Sequence, residues 1–290
     1  MPKVSANGIE VAYEERGSGD PLLLVPGLGM QLVAWPDGFL DALAARGFRV
    51  IVFDNRDTGL TTHFDAAGTP RVMHVLRDVF LGRPVALPYT VFDMAADAAG
   101  LLEALAIPRA HVIGISLGGM IAQAMAITHG ARLKSLTSIM SHSGGSLVTG
   151  RPVAMLNLLR SPGRTREDFV RAQLRFFRAC GSTGFVRDDE DLARRVALQF
   201  DRSNNLKGIA RQLGAAMALG DIRPSLRAVR VPTLVLHGDA DGIFRPTYGR
   251  QTAAAIPGAR FHLIPGWGHD LAEGVWPQVI DQLTSHLRAA

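Results

Sequence analysis

Six consecutive residues, Gly114-Ile115-Ser116-Leu117-Gly118-Gly119, carry the pattern a serine nucleophile needs. They follow an apolar run, His111–Ile115, that reads as a strand. They open Leu117–His129, which reads as a helix ended by Gly130. A sharp strand-to-helix turn would hold Ser116 in a strained conformation with its hydroxyl exposed. Side chains at 114 or 118 would collide there with neighbouring backbone. The helix amino terminus also aims its dipole at negative charge developing on a substrate. In a glycine-rich chain the bare pattern arises by chance; the strand–turn–helix context gives it meaning.

A serine hydroxyl needs a base, and the base needs an acid to orient it. On such a turn the chain order is Ser, then Asp or Glu, then His. Of nine histidines, only His262, His269 and His286 lie beyond the apolar run Thr233–His237. His262 sits inside the strand pattern Phe261–Ile264 and His286 inside a closing helical pattern. His269 lies in the loop Pro265-Gly266-Trp267-Gly268-His269-Asp270 and is the expected base. Asp239 and Asp241 compete for the acid in His237-Gly238-Asp239-Ala240-Asp241. Asp241, farther out on the loop, is preferred, leaving Asp239 to bond nearby backbone. Asp57 and Asp270 stand on less suitable loops. The expected oxyanion donors are the N–H groups of Leu117 and of Leu28, in Pro26-Gly27-Leu28-Gly29. This chemistry needs no cofactor, and no metal-ligand pattern is visible, so neither is expected.

The elements that must position these groups alternate. Ile9–Glu14, Leu22–Val25, Phe48–Phe53, His111–Ile115, Leu136–Met140, Thr233–His237 and Phe261–Ile264 read as strands. Pro36–Arg46, Phe92–Leu105, Leu117–His129, Thr247–Ala255 and Leu271–Leu287 read as helices between or after them. Short, nearly continuous apolar strands alternating with helices predict a mostly parallel, doubly wound α/β sheet. Residues 143–223 break the alternation with helical patterns near 152–160, 166–179, 189–200 and 205–219. Their joints are Ser161-Pro162-Gly163, Gly181–Gly184 and Ser203-Asn204. The expected organisation is a core of residues 1–142 and 224–290 with a helical cap of residues 143–223, placed to cover the carboxyl ends of the strands.

The 290 residues, 47% hydrophobic and 20% charged, suit a globular chain with a large core. The net charge of +5 is concentrated in residues 143–223, with 14 basic and 8 acidic side chains. Arg-rich solvated helix faces explain that excess more simply than an anionic partner. No nucleic-acid module, no membrane-spanning run and no signal-peptide core is visible, and Cys180 is the only cysteine. A cytoplasmic protein with a small-molecule substrate, and neither nucleic acid nor membrane as partner, is expected; oligomeric state is not readable.

With these residues in view, the sequence resembles the α/β-hydrolase superfamily with a helical cap. More narrowly, it is similar to bacterial esterases of the aclacinomycin methylesterase kind. The resemblance rests on Ala34-Trp35-Pro36-Asp37, Asp54-Asn55-Arg56-Asp57-Thr58-Gly59, Gly114–Gly119, His237–Asp241 and Gly266–His269. It departs where Pro26 replaces a histidine common in the oxyanion loop, and where Gly242 replaces a proline common after the acid. The resemblance implies an α/β-hydrolase fold, hydrolysis of a carboxylic ester of a small to medium apolar substrate through an acyl-enzyme, and bracing roles for Asp54 and Arg56. Lactonase, carbon–carbon bond hydrolase and cofactor-free haloperoxidase activities occur on the same scaffold, as do non-catalytic small-molecule receptors. Trp35, Met140, Phe244 and Trp267 flank the catalytic loops and are expected pocket walls. His142 reads as a structural histidine. Met155, Leu159, Phe169, Phe176 and Phe177 read as cap packing.

Overall fold

In the computed structural model, residues 1–145, 150–160 and 163–290 are described, Leu159 by its backbone alone. Ser161 and Pro162, expected in a joint, and the Leu159 side chain, expected in cap packing, lie outside the described residues. The strands are β1 (Lys3–Ala6), β2 (Ile9–Arg16), β3 (Asp20–Val25), β4 (Phe48–Phe53), β5 (Ala110–Ile115), β6 (Leu133–Ile139), β7 (Thr233–Gly238) and β8 (Arg260–Ile264). They form one sheet of order β1-β2-β4-β3-β5-β6-β7-β8. β1–β2 and β2–β4 pair antiparallel, and every pair from β4 to β8 is parallel.

The central strands are apolar throughout because both sheet faces are covered. Leu23 and Val25 of β3 belong to a core completed by α3 (Val91–Ala104) and α4 (Leu117–Thr128). Leu22 and Leu24 alternate to the opposite core, completed by α1 (Asp37–Ala44) and α11 (Trp276–Arg288). The period-two alternation of a strand feeds two cores instead of one core and solvent. The expected doubly wound α/β sheet is thus present.

Some boundaries and elements differ from the sequence reading. β1 and α2 (Val72–Phe80) were not anticipated. The expected helix Leu271–Leu287 starts only at Trp276, with Pro277 in its first turn, after the single 3-10 turn Glu273–Val275. Proline has no N–H to offer an upstream carbonyl, which makes this a helix start.

Between β6 and β7 lie α5 (Pro152–Leu159), α6 (Arg166–Cys180), α7 (Asp189–Arg202), α8 (Leu206–Met217) and α9 (Arg223–Leu226). Thr165, Asp188 and Asn205 cap α6, α7 and α8 by accepting first-turn N–H groups. α6 and α7 share a small core of Phe169, Leu192 and Val196. α10 (Pro246–Ala255) then packs on β7 and β8. Among the described residues no helix is long and apolar enough to cross a membrane.

Candidate active site

The turn after β5 is built as tightly as its glycines imply. A Cβ on Gly114 would lie 2.0 Å from Gly118 O, and one on Gly118 would lie 2.1 Å from Val25 O. Neither contact is possible, so both positions require glycine. Ser116 between them sits at φ 53° and ψ −120°, a region non-glycine residues avoid. Its N–H donates to Ile139 O at 3.0 Å, and its carbonyl accepts from the Ser141 hydroxyl at 2.7 Å. The end of β6 thereby holds the turn.

Loops after three parallel strands bring the expected residues together. His269 Nδ1 lies 2.9 Å from Asp241 Oδ2, and its Nε2 lies 3.0 Å from Ser116 Oγ. An ionised carboxylate can only accept, so Nδ1 carries the proton, and the Nε2 lone pair faces the serine hydroxyl. Asp241 and His269 are 5% and 7% exposed, so their contact is largely shielded from water. Burial alone would push the Asp241 carboxyl up. The His269 charge and hydrogen bonds from His237 and His269 outweigh it and hold the group below the usual carboxylate range. Backbone N–H groups of Ile243 and Phe244 donate to Asp241 Oδ1 at 2.7 and 2.9 Å.

Asp239, the competing acid, instead accepts the Gly266 N–H at 2.6 Å and ties the β7 loop to the β8 loop. Asp57 and Asp270 are also engaged elsewhere. Asp270 accepts from Ser182 N and Oγ at 2.9 and 2.6 Å, and from Arg187 at 3.2 Å. His269 N–H donates to Cys180 O at 2.8 Å. The α6–α7 joint therefore grips the histidine loop from the cap side.

Ser116, His269, Leu28 and Leu117 border one cavity of about 330 Å³. Among the described residues, the Leu28 and Leu117 N–H groups have no protein acceptor. Gly29 N–H, next to Leu28, is held by Gln212 Oε1 at 2.9 Å, which fixes the loop from α8.

Met140 and Phe244 border the cavity as expected. Trp35 and Trp267 do not. They are 2% and 0% exposed and belong to the α1–α11 core. The Trp267 indole N–H turns back to Asp270 O at 2.8 Å, and Trp35 stacks on Phe39 at a centroid separation of 6.2 Å. Their neighbourhood to catalytic loops in sequence misled because these rings turn into the core packed by α1 and α11 instead of toward the cavity. Phe169, Phe176 and Phe177 were read as cap packing, yet all three also border the cavity. His142 accepts the Gly144 N–H at 2.8 Å and stacks edge-on to Phe244, a structural setting.

The sequence reading missed the cap residues that tie it to the core, Arg202 and Arg211. Arg211 of α8 and Asp57 are both fully buried and joined by two 2.7 Å bonds. Arg202 of α7 meets Asp54 at 2.7 Å, and Asp54 also accepts the Leu32 and Leu60 N–H groups. Arg56 pairs with Asp97. The bracing that the resemblance implied for Asp54 and Arg56 is visible in these contacts. The compact charge pattern Asp54-Asn55-Arg56-Asp57 was the signal, since charged residues after a buried strand must find partners.

Fold and site together define a hydrolase-type scaffold. The sequence model of the alpha/beta hydrolase fold matches residues 20–273, and the chain belongs to that family. Rhodomycin D methylesterase DauP of Streptomyces sp. (strain C5) is 29% identical, over 100% of this chain and 99% of that protein. Rhodomycin D methylesterase DnrP of Streptomyces peucetius is 28% identical over the same shares. Among solved structures, the enol-lactonase from Burkholderia xenovorans LB400 superposes with a TM-score of 0.70 at 24% identity, covering 98% of this chain and 97% of that one. That likeness is one of fold.

Proposed function

We propose that this protein is a serine esterase that cleaves a carboxylic ester by acyl transfer through Ser116, His269 and Asp241. One observation carries the reading: a single imidazole bridges a buried carboxylate at 2.9 Å and a strained serine hydroxyl at 3.0 Å. His269 Nε2 takes the Ser116 proton as Oγ adds to the ester carbonyl. The carbonyl oxygen, now negative, receives the Leu28 and Leu117 N–H groups. His269 then gives the proton to the departing alkoxide, and the acyl group remains on Ser116. Water repeats the sequence and releases the acid. Asp241 accepts the Nδ1–H throughout and stabilises the imidazolium. Each oxyanion donor is worth about a hundredfold to a thousandfold in turnover.

The partner in this reading is a small-molecule substrate, with no role for nucleic acid or a membrane. Two relatives matched along their whole length are named methylesterases, which supports a small alkoxy leaving group. The cavity, lined by side chains such as Met120, Met140, Phe176 and Phe244, suits an apolar acyl part. A single, buried cysteine suits a reducing, cytoplasmic setting.

Ser116→Ala is the direct test. Hydrolysis of short-chain p-nitrophenyl and methyl esters should fall to background while the circular-dichroism spectrum stays unchanged. Turnover retained by the folded variant would overturn the assignment.

A further inference from the structure

A second histidine touches the acid of the triad. His237, near the end of β7, is fully buried. Its Nε2 lies 3.3 Å from Asp241 Oδ2 and 3.0 Å from Phe244 O. Both neighbours are acceptors, so Nε2 carries the proton and shares it between them. Nδ1 has no partner among the described residues. It abuts Gly249 of α10 so closely that a Cβ there would lie 2.6 Å away. A proton on Nδ1 would have no acceptor, and the tautomer is fixed by packing.

Asp241 is then saturated. Oδ1 receives two backbone N–H groups, and Oδ2 receives one imidazole from each side. A carboxylate accepts about four such bonds, so its plane has no freedom left.

We propose that His237 is a positioning residue of the triad: its Nε2–H clamps Asp241 Oδ2 where His269 meets it. The proposal rests on the triad reading above. Without the clamp, Oδ2 can swing, and a misplacement of about 1 Å costs on the order of a hundredfold in rate. The hydrogen bond from His237 is among the causes that hold Asp241 low.

The other titratable groups in the neighbourhood are few. His142 faces His237 from the end of β6. Cys180 of α6 feels the Asp241 charge. On α10, Tyr248 packs toward His142, and Arg250 lies over the Phe261 ring. None of these is hydrogen-bonded to Asp241 in place of His237.

The test is the rate of Ser116 labelling by a fluorophosphonate, run on the whole protein. His237→Met removes the donor. Labelling should slow about tenfold to a hundredfold. His237→Gln restores an N–H near the Nε2 position and should recover most of the rate. Equal rates in the two variants would overturn the proposal with the triad intact. Failure of the unaltered protein to label would instead sink the esterase reading. The nitrogen-15 imidazole spectrum of the unaltered protein needs no variant: it should show His237 protonated on Nε2 and bare on Nδ1, and the opposite tautomer overturns the clamp.

Discussion

At residue scale, two aspartates two positions apart take opposite duties because of where their oxygens end up. Asp241 reaches across to His269, while Asp239 folds back on Gly266. Asp241→Asn keeps the shape but puts an amide where the imidazole N–H needs an acceptor. The histidine is then driven to the wrong tautomer, and turnover should fall by about 10³–10⁴. Asp239→Asn still offers a carbonyl oxygen to Gly266 and should retain activity within about threefold. Steady-state kinetics on both variants checks the pair; a larger loss in Asp239→Asn would reverse the assignment. The chemistry-bearing residues were legible because each follows a short apolar run and sits among glycines. His237 was not legible, since a histidine closing a buried strand looks like any core residue. Trp35 and Trp267 were misplaced because adjacency in sequence does not say whether a loop side chain turns toward the cavity or into the core.

At the scale of elements, the cap stands on two buried ion pairs and an amide. Gln212 donates to Arg56 O and the Thr58 hydroxyl at 2.7 and 2.6 Å while accepting the Gly29 N–H. α8 thus links the Asp54–Gly59 turn to the oxyanion loop. Breaking a buried pair leaves an uncompensated charge, so Asp57→Ala should lower stability by about 3–5 kcal/mol. Arg211→Leu combined with Asp57→Leu removes both charges and should lose clearly less. Denaturant unfolding of the single and double variants measures the difference; equal losses would mean the pair is not the anchor. The helices of the cap were legible from their patterns and the joints between them, whereas the anchors join residues about 150 positions apart. Nothing local marks which aspartate Arg211 will meet. α2 was also missed, although Val72, Val75, Leu76 and Val79 have helical spacing. Gly82, Pro84 and Pro88 punctuate the chain just beyond it.

Over the whole molecule, many basic side chains of the cap pair with the cap's own acids, as in Arg166–Asp201, Arg171–Asp168 and Arg178–Asp189, which leaves its basic excess in place. Exposed pairs of this kind contribute little. The pH response of the fold comes instead from histidines inside it. Burial lowers His142 from 6.5 to about 4. Burial likewise lowers His286 to about 4, against its bond to Leu136 O, with the charges of Arg260 and His111 adding to the effect. The unfolded chain takes up these protons as the pH drops below 6.5, while the folded chain refuses them until about 4. Protons therefore favour the unfolded state in that window. Stability is full above pH 6.5 and falls as the pH approaches 4. Asp241 and Asp57, held below the carboxylate range, add their own losses only at lower pH. The urea midpoint should decline steadily from pH 7 to 4.5. His286→Gln keeps an N–H for Leu136 O but cannot titrate, so its decline should be shallower. A midpoint independent of pH across that range would show that these rings are protonated in the folded protein at no cost, contrary to their burial.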